Sequence, residues 1–431
     1  MDQDRWAARI RAQMDYEWTR ERPPEDFPAL PPIPTGRYTD AGFFALERER
    51  VWKRCWLLVG REEELERPGS FKTWDRCGSP LLIVRAQDGG LRAFYNTCQH
   101  RGAPVVRAAC GQAKRLRCQY HSWTYDLEGR LVSLPDRRDF SELDESRRSL
   151  KSLRCESYGG WIFVNADPEA PDLHEWLGPV ADEWSVLRGR ELRSVARREQ
   201  RVSCNWKIAV DAFLESYHVR TIHPQTVSRL LDHRGAAMAL FPHGHSRMVT
   251  PKWEAAVARQ RVAGTPLAEI PGLDPVFAET NPAYSLFPNL VTPLDTVGFP
   301  FICFWPVDAD TTDVEWVFYA PPPTTEQQER VWQATVAVFD QVMDEDFRNL
   351  APMQRSVASG ALESIPLSYQ ERRIYHLHEQ IDRQIGAAQV PAPLRVAPRL
   401  EPFWEHPPAG NQGPPTSRRE SARTANSSSG E

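Results

Sequence analysis

Residues 97–104 read TCQHRGAP and residues 118–131 read CQYHSWTYDLEGRL. They set Cys98-x-His100 and Cys118-x-x-His121 in two stretches rich in turn formers, so two paired sets of metal-binding side chains can close on one centre. Two cysteines on one iron with two histidines on the other suit an iron–sulfur cluster whose reduction potential lies above that of an all-cysteine cluster. The same four side chains also suit a structural zinc ion. Ligand type alone leaves both open, and the flanking sequence carries the decision.

Around these loops the chain runs in short apolar or alternating segments, SPLLIVRA (79–86), LRAFYNT (91–97), KRLRC (114–118) and GGWIFVNA (159–166), punctuated by turns such as QDGG and LEGR. That pattern predicts a small antiparallel β-domain. Downstream of DPEAPD (167–172) the periodicity changes. Helices are expected at 172–187, 205–223, 325–346 and 368–385, and strands at 285–291, 299–307 and 314–319. Strands framed by helices make this larger part α+β. Upstream, the proline-rich run ERPPEDFPALPPIP (21–34) should wrap a surface as an extended arm, and residues 40–56 read as an amphipathic helix behind an Asp cap. The division expected is an arm and helix at 1–45, a β-domain at 46–165, an α+β domain at 166–400 and a disordered tail at 401–431, where Pro, Gly, Ser and charge dominate.

A chain of 431 residues favours two domains, or one large domain carrying an insert, and 41% hydrophobic with 26% charged residues are ordinary globular values. A net charge of -5 offers no basic surface for a phosphate backbone, so nucleic acid is not expected as a partner. The eight cysteines (Cys55, Cys77, Cys98, Cys110, Cys118, Cys155, Cys204 and Cys303) lack the spacing of a disulfide scaffold, which suits a reducing compartment. The first residues hold no apolar core of a leader, and the longest apolar stretch, near 299–307, is too short to span a bilayer. A cytoplasmic protein without a membrane partner is expected.

A second constellation lies in NWKIAVDAFLESYHVRTIHP (205–224), free of Gly and Pro until its last residue and therefore read as one helix. Asp211, Glu215 and His218 would share a face, and His223, pushed out of helical geometry by Pro224, could fold back so that both imidazoles reach one ion. Two histidines and one carboxylate form the facial triad of non-haem iron(II) oxygenases. The ordinary alternative is two unconnected helix histidines.

With these residues in view, CQHRGAP and CQYHSWTYDLEGRL resemble the two cluster loops of Rieske proteins, and Asn205-Trp206-Lys207 followed by Glu215-x-x-His218-x4-His223-Pro224 resembles the iron-binding segment of Rieske non-haem iron oxygenase alpha subunits, the aromatic-ring-hydroxylating dioxygenase family. The resemblance implies a small antiparallel Rieske domain inserted near the N-terminus of a larger α+β catalytic domain with a helix-grip-like antiparallel sheet. It implies that Cys98, His100, Cys118 and His121 hold a [2Fe-2S] cluster, and that His218 and His223 hold mononuclear Fe(II) with a carboxylate from a distant acidic helix preceding a Gln. Asp346 fits that place by its offset from Gln354, with Asp344 and Glu345 as alternatives. Glu215 falls where the family puts an acidic residue bridging the cluster of one subunit to the iron of the next, and Asp211 and Asn205 are expected in support. Where many relatives read Cys-Pro-Tyr-His-Gly-Trp, this chain has Gln119 and Ser122.

The activity implied is mono- or dihydroxylation of a small, aromatic, organic substrate with O2 and electrons from NAD(P)H. Those electrons would come through a separate reductase, with or without a ferredoxin, because the chain has no strand-linked GxGxxG of its own. The resemblance further implies a homotrimer in which each cluster serves the neighbouring iron, with or without a beta subunit. Alternatives are a monooxygenase or demethylase of a quaternary ammonium compound or other non-aromatic small molecule, an electron-transfer Rieske protein without oxygenase activity, and a zinc-binding interaction protein. Phe213, Leu214, Phe241, Trp253, Phe287, Phe299 and Phe304 are candidate pocket liners, though aromatic residues in such elements more often pack in cores.

Overall fold

The computed structural model describes residues 2–405. Two seven-stranded antiparallel sheets dominate it. The first runs, edge to edge, Leu57–Arg61, Trp161–Asn165, Ser152–Tyr158, Leu91–Tyr95, Ser79–Arg85, Ser70–Arg76 and Cys110–Gln112, and a three-stranded sheet (Leu116–Arg117, Thr124–Tyr125, Leu131–Ser133) lies beside it. The strand Ser79–Arg85 explains how this unit joins the rest. Side chains alternate across a strand, so Leu82 and Val84 enter a small core with Phe94, Cys98, Cys118, Trp123 and Tyr125, while Leu81 and Ile83 enter the main core that continues into the second sheet.

The second sheet runs Arg193–Val202, Thr312–Ala320, Phe299–Pro306, Leu290–Pro293, Thr280–Leu286, Ser246–Pro251 and Ala237–Leu240. The helix Glu326–Ala358, begun by a Thr325 cap on the Gln328 N–H at 3.2 Å, packs against its Arg193–Val202 edge. Residues ahead of the small domain belong structurally to this larger one, because the short strand Ile33–Pro34 pairs with Ser364–Ile365. The small β-domain is thus an insertion near the N-terminus of an α+β domain, as expected.

Several local expectations need correction. The stretch 205–223 is not one helix. It ends as Trp206–Asp211 and resumes as the single turn Val219–Ile222, because Glu215 turns its carboxylate onto the backbone N–H groups of Tyr217 and His218 and competes with the helical ladder. Asp211 and His218 therefore do not share a face. The expected strand at 285–291 is a hairpin, Thr280–Leu286 and Leu290–Pro293, turning at Phe287–Asn289 where Pro288 cannot donate to a ladder. The helix expected at 172–187 breaks at Gly178 into Leu173–Leu177 and Pro179–Trp184. The arm includes a helix, Gln3–Thr19, which buries Trp6, Ala7, Ile10 and Met14 at helical spacing against the second sheet. Of the tail expected to be disordered at 401–431, residues 406–431 lie outside the described residues, but 401–405 are placed: the Glu405 N–H donates to the Leu240 carbonyl at 2.7 Å.

Candidate functional site

The two cluster loops are built alike. In each, the cysteine N–H donates to the carbonyl five residues on, and the N–H four residues on donates back to the cysteine carbonyl: Cys98 to Ala103 (2.9 Å) with Gly102 to Cys98 (3.0 Å), and Cys118 to Trp123 (2.9 Å) with Ser122 to Cys118 (2.9 Å). The fifth position must turn left-handed, which Gly102 does at φ 74° and Ser122 at φ 61°. Ser122 carries that conformation with a Cβ, helped by a 2.7 Å hydrogen bond from Arg117 to its hydroxyl.

The loops bring all four expected side chains to one tip. Cys98 and Cys118 are buried, and the rings of His100 and His121 stand 4.6 Å apart with His100 stacked on Trp123. The Nδ1 of His100 is buried without a hydrogen-bond partner, an expensive state for a polar atom unless a metal takes it. The Tyr125 hydroxyl lies 3.4 Å from the Cys98 sulfur and accepts the Gln99 N–H at 3.0 Å. A tetrahedral zinc would need all four donors within about 4 Å of one another. Among the described residues, three such donors meet within 4.8 Å at one place only, and it is not here. The wider spread suits a two-iron cluster.

That one place is His218, His223 and Asp346. His218 ends the loop that follows the broken helix, His223 ends the turn Val219–Ile222, and Asp346 arrives on the long helix. The Asp346 Oδ1 stands 2.9 Å from Nε2 of His223 and 3.6 Å from Nε2 of His218. Three donors at right angles around one metal lie about 3 Å apart, so small adjustments suffice.

The opposite ring nitrogens are held by carboxylates. Nδ1 of His218 meets Glu215, and Nδ1 of His223 meets the Glu345 Oε2 at 2.7 Å, where the Thr226 hydroxyl also donates at 2.6 Å. This is how proteins fix the tautomer and heading of a metal-binding imidazole. Burial would lower the pKa of both rings, but the surrounding carboxylates outweigh it and hold both above the ordinary histidine value. The pocket of donors draws positive charge, as a cation site must.

Of the alternatives to Asp346, Glu345 thus reaches a ring rather than the donor cluster, and Asp344 is not in that cluster either. Asp211 stands apart: the Tyr38 hydroxyl donates to it at 2.8 Å, the His378 ring lies 3.6 Å away, and burial pushes its carboxyl up to about 7. Asn205 caps the helix Trp206–Asp211 through the Lys207 N–H, and its own N–H donates to the Gln354 side chain at 2.8 Å. That bond ties the histidine-bearing segment to the helix bearing Asp346, two turns before Gln354. Residue reading missed Thr226 and Tyr125. Thr226 had a weak signal, its position three residues beyond a candidate ligand.

The triad opens onto a cavity of about 1190 Å³ between the second sheet and the long helix, with Phe213, Val219, Leu230, Met248, Val291 and Phe339 among its walls. Of the aromatic candidates, Phe213 faces this cavity, while Phe241, Phe287, Phe299 and Phe304 are core residues, as is Leu214, and Trp253 is partly exposed.

Residues 55–153 match the family model described as Rieske [2Fe-2S] domain, and residues 189–387 match that of the ring hydroxylating alpha subunit, catalytic domain. The chain is 36% identical over 190 residues to the chlorobenzene dioxygenase subunit alpha of Cupriavidus sp. (strain PS12), covering 43% of this chain and 42% of that protein. It is 33% identical over 211 residues to the carnitine monooxygenase oxygenase subunit of Acinetobacter baumannii, covering 47% and 57%. The chain thus spans about half the length of these curated relatives. Its fold is shared with the quaternary ammonium Rieske monooxygenase CntA, with a TM-score of 0.70 over 84% of this chain and 99% of that one at 23% identity. A Rieske domain followed by a ring-hydroxylating catalytic domain, on this fold, makes the chain a member of the Rieske non-haem iron oxygenase alpha-subunit family.

Proposed function

We propose that the chain is the oxygenase component of a Rieske system, hydroxylating a small organic substrate with O2 and with electrons delivered by a separate NAD(P)H-dependent reductase, directly or through a ferredoxin. One observation carries this reading: His218, His223 and Asp346 converge beside a largely apolar cavity, a donor set that closes one side of an ion and leaves the side toward a substrate free. When bound there, ferrous iron supplies the activation of O2. Cys98, Cys118, His100 and His121 would hold the cluster that supplies single electrons.

The chain's own residues do the positioning. Glu215 and Glu345 each accept a proton-bearing Nδ1, which leaves Nε2 of His218 and of His223 free for the metal. The apolar walls exclude water from the substrate's reacting carbon and set its distance from the metal. The exposure of Tyr217, two residues from Glu215, supports a head-to-tail trimer in which one chain's cluster serves the next chain's metal by way of Glu215. The eight cysteines are unpaired, which fits a reducing, cytoplasmic setting, and no helix among the described residues is long and apolar enough to cross a membrane.

The similarity to a carnitine monooxygenase subunit favours a second reading, a monooxygenase of a quaternary ammonium compound. Both readings are tested by substrate-dependent O2 uptake with a surrogate reductase, across arenes, aryl carboxylates and betaines. His218→Ala, His223→Ala and Asp346→Ala should each abolish product and retained iron while the cluster's visible spectrum persists. Product formation by an Asp346→Ala variant devoid of iron would overturn the assignment.

A further inference from the structure

The cavity beside the triad carries one buried cation that the oxygenase chemistry does not use. On the strand Ser246–Pro251 and the residue after it, side chains alternate between faces, and Met248, Thr250 and Lys252 all face the cavity. Met248 is part of the apolar wall. Lys252 has a side chain 2% exposed, and its ammonium meets one carboxylate, Asp295 Oδ2, at 3.1 Å. An ammonium has three N–H donors, so two are left for something else. Asp295 does not bury with it: its side chain is 38% exposed, so its charge is shared with water while the lysine's is not. The Thr250 hydroxyl, next along the same face, makes no hydrogen bond among the described residues. An under-coordinated ammonium beside a free hydroxyl, in a chamber whose lining is largely apolar, is costly as packing alone. It is what a site needs to hold an anionic group at one end of an apolar molecule.

We propose that Lys252 is the specificity-determining residue of this cavity, and that the substrate is a small apolar molecule bearing a carboxylate, which the Lys252 ammonium and the Thr250 hydroxyl bind. The assignment rests on the oxygenase reading for the word substrate, but the binding site stands on its own residues. Anchoring the carboxylate at Lys252 leaves the apolar body to lie along Met248, Val291 and Phe213, with one end presented to the triad. Asp295 then acts as a counter-charge that keeps the ammonium paired when no ligand is present, and it repels ligands carrying a second negative charge.

The test is calorimetric binding under anaerobic conditions to the iron-loaded, cluster-containing protein, with 1-naphthoate, 4-isopropylbenzoate and 3-phenylpropionate, each set against its carboxamide. Because no turnover is needed, the outcome is independent of whether the protein oxygenates anything. Carboxylates should bind about tenfold or more tightly than the amides, the usual effect of a hydrogen bond to a charged group. Lys252→Met should erase that preference without weakening the amides, Lys252→Arg should restore part of it, and Asp295→Asn should keep it. Equal binding of acids and amides by the parent protein would overturn the proposal. So would an undiminished carboxylate preference in a folded Lys252→Met variant. Should Lys252→Met fail to fold, loss of the preference in Lys252→Gln or its persistence there decides in the same way. Oxygen uptake with neutral arenes alone, at intact iron, would remove the carboxylate assignment and leave the oxygenase reading standing.

Discussion

Glu345 reaches Nδ1 of His223 at 2.7 Å, on the edge of the ring opposite the nitrogen that faces its own neighbour Asp346. Two consecutive residues of one helix thus address both edges of a single imidazole. Removing such a partner weakens metal affinity by about 10- to 100-fold. Glu345→Ala should lose iron to a chelator, or bind Co(II), that much more weakly than the parent, while the visible spectrum of the cluster stays unchanged. Glu345→Gln, which keeps an acceptor oxygen, should lie between the two.

Tyr125 sets its hydroxyl 3.4 Å from the Cys98 sulfur. A donor on a cluster sulfur stabilises the more negative, reduced state and so raises the potential. Tyr125→Phe should lower the midpoint potential by about 50 mV, the equivalent of roughly 1 kcal/mol for one electron. Direct electrochemistry on the purified chain measures it, and an unchanged potential would mean that the hydroxyl points elsewhere.

Ser122 holds a left-handed backbone that its counterpart in the other loop, Gly102, adopts without a Cβ. Ser122→Gly should relieve up to about 1 kcal/mol of that strain, less the contribution of the Arg117 hydrogen bond. The cluster absorbance of the variant should persist to higher temperature than that of the parent.

The buried pair Glu47 and Lys207, 2.7 Å apart and both fully covered, also anchors the Trp206 indole. Glu47→Ala leaves a buried ammonium without its counter-charge, a change that costs about 3–5 kcal/mol. Denaturant unfolding of the catalytic domain, followed by tryptophan fluorescence, should shift accordingly.

Asp211 is the group whose titration shapes stability most distinctively. Burial raises its carboxyl to about 7, against 3.8 in an exposed setting. The native state then holds a proton that the unfolded chain releases, so this contribution is complete below pH 4 and declines as pH rises through 7. The stability difference between the parent and Asp211→Asn should therefore fall between pH 4 and pH 7, by on the order of 4 kcal/mol. Taking the difference is essential, since buried His378, with its pKa held low by burial, works in the opposite direction.

What was legible in the sequence was what short spacing encodes. The cluster loops are closed by bonds within six residues, so their residues announce them. His218 and His223 were legible for the same reason, but the path between Asp211 and His218 was not: no Gly or Pro marks the break, which arises from the Glu215 side chain capturing two N–H groups. Asp346 was reachable only through its offset from Gln354, whose own reason appears in three dimensions as the bond to Asn205. The N-terminal helix had a readable stripe, Trp6, Ile10 and Met14 behind an Asp2 cap, overshadowed by the prolines that follow. Lys252 had no local signal, since a lone lysine at a strand end looks exposed until the cavity closes over it.

The triad draws His223 and Asp346 from segments far apart in the chain, whereas the cluster loops sit on a unit with its own small core. An ion seated between them therefore works as a clasp on the larger domain alone, adding stability in proportion to the logarithm of its free concentration. Stripping iron should loosen the walls that shape the substrate chamber and leave the electron-carrying tip as firm as before, so the protein would fail first where its selectivity resides.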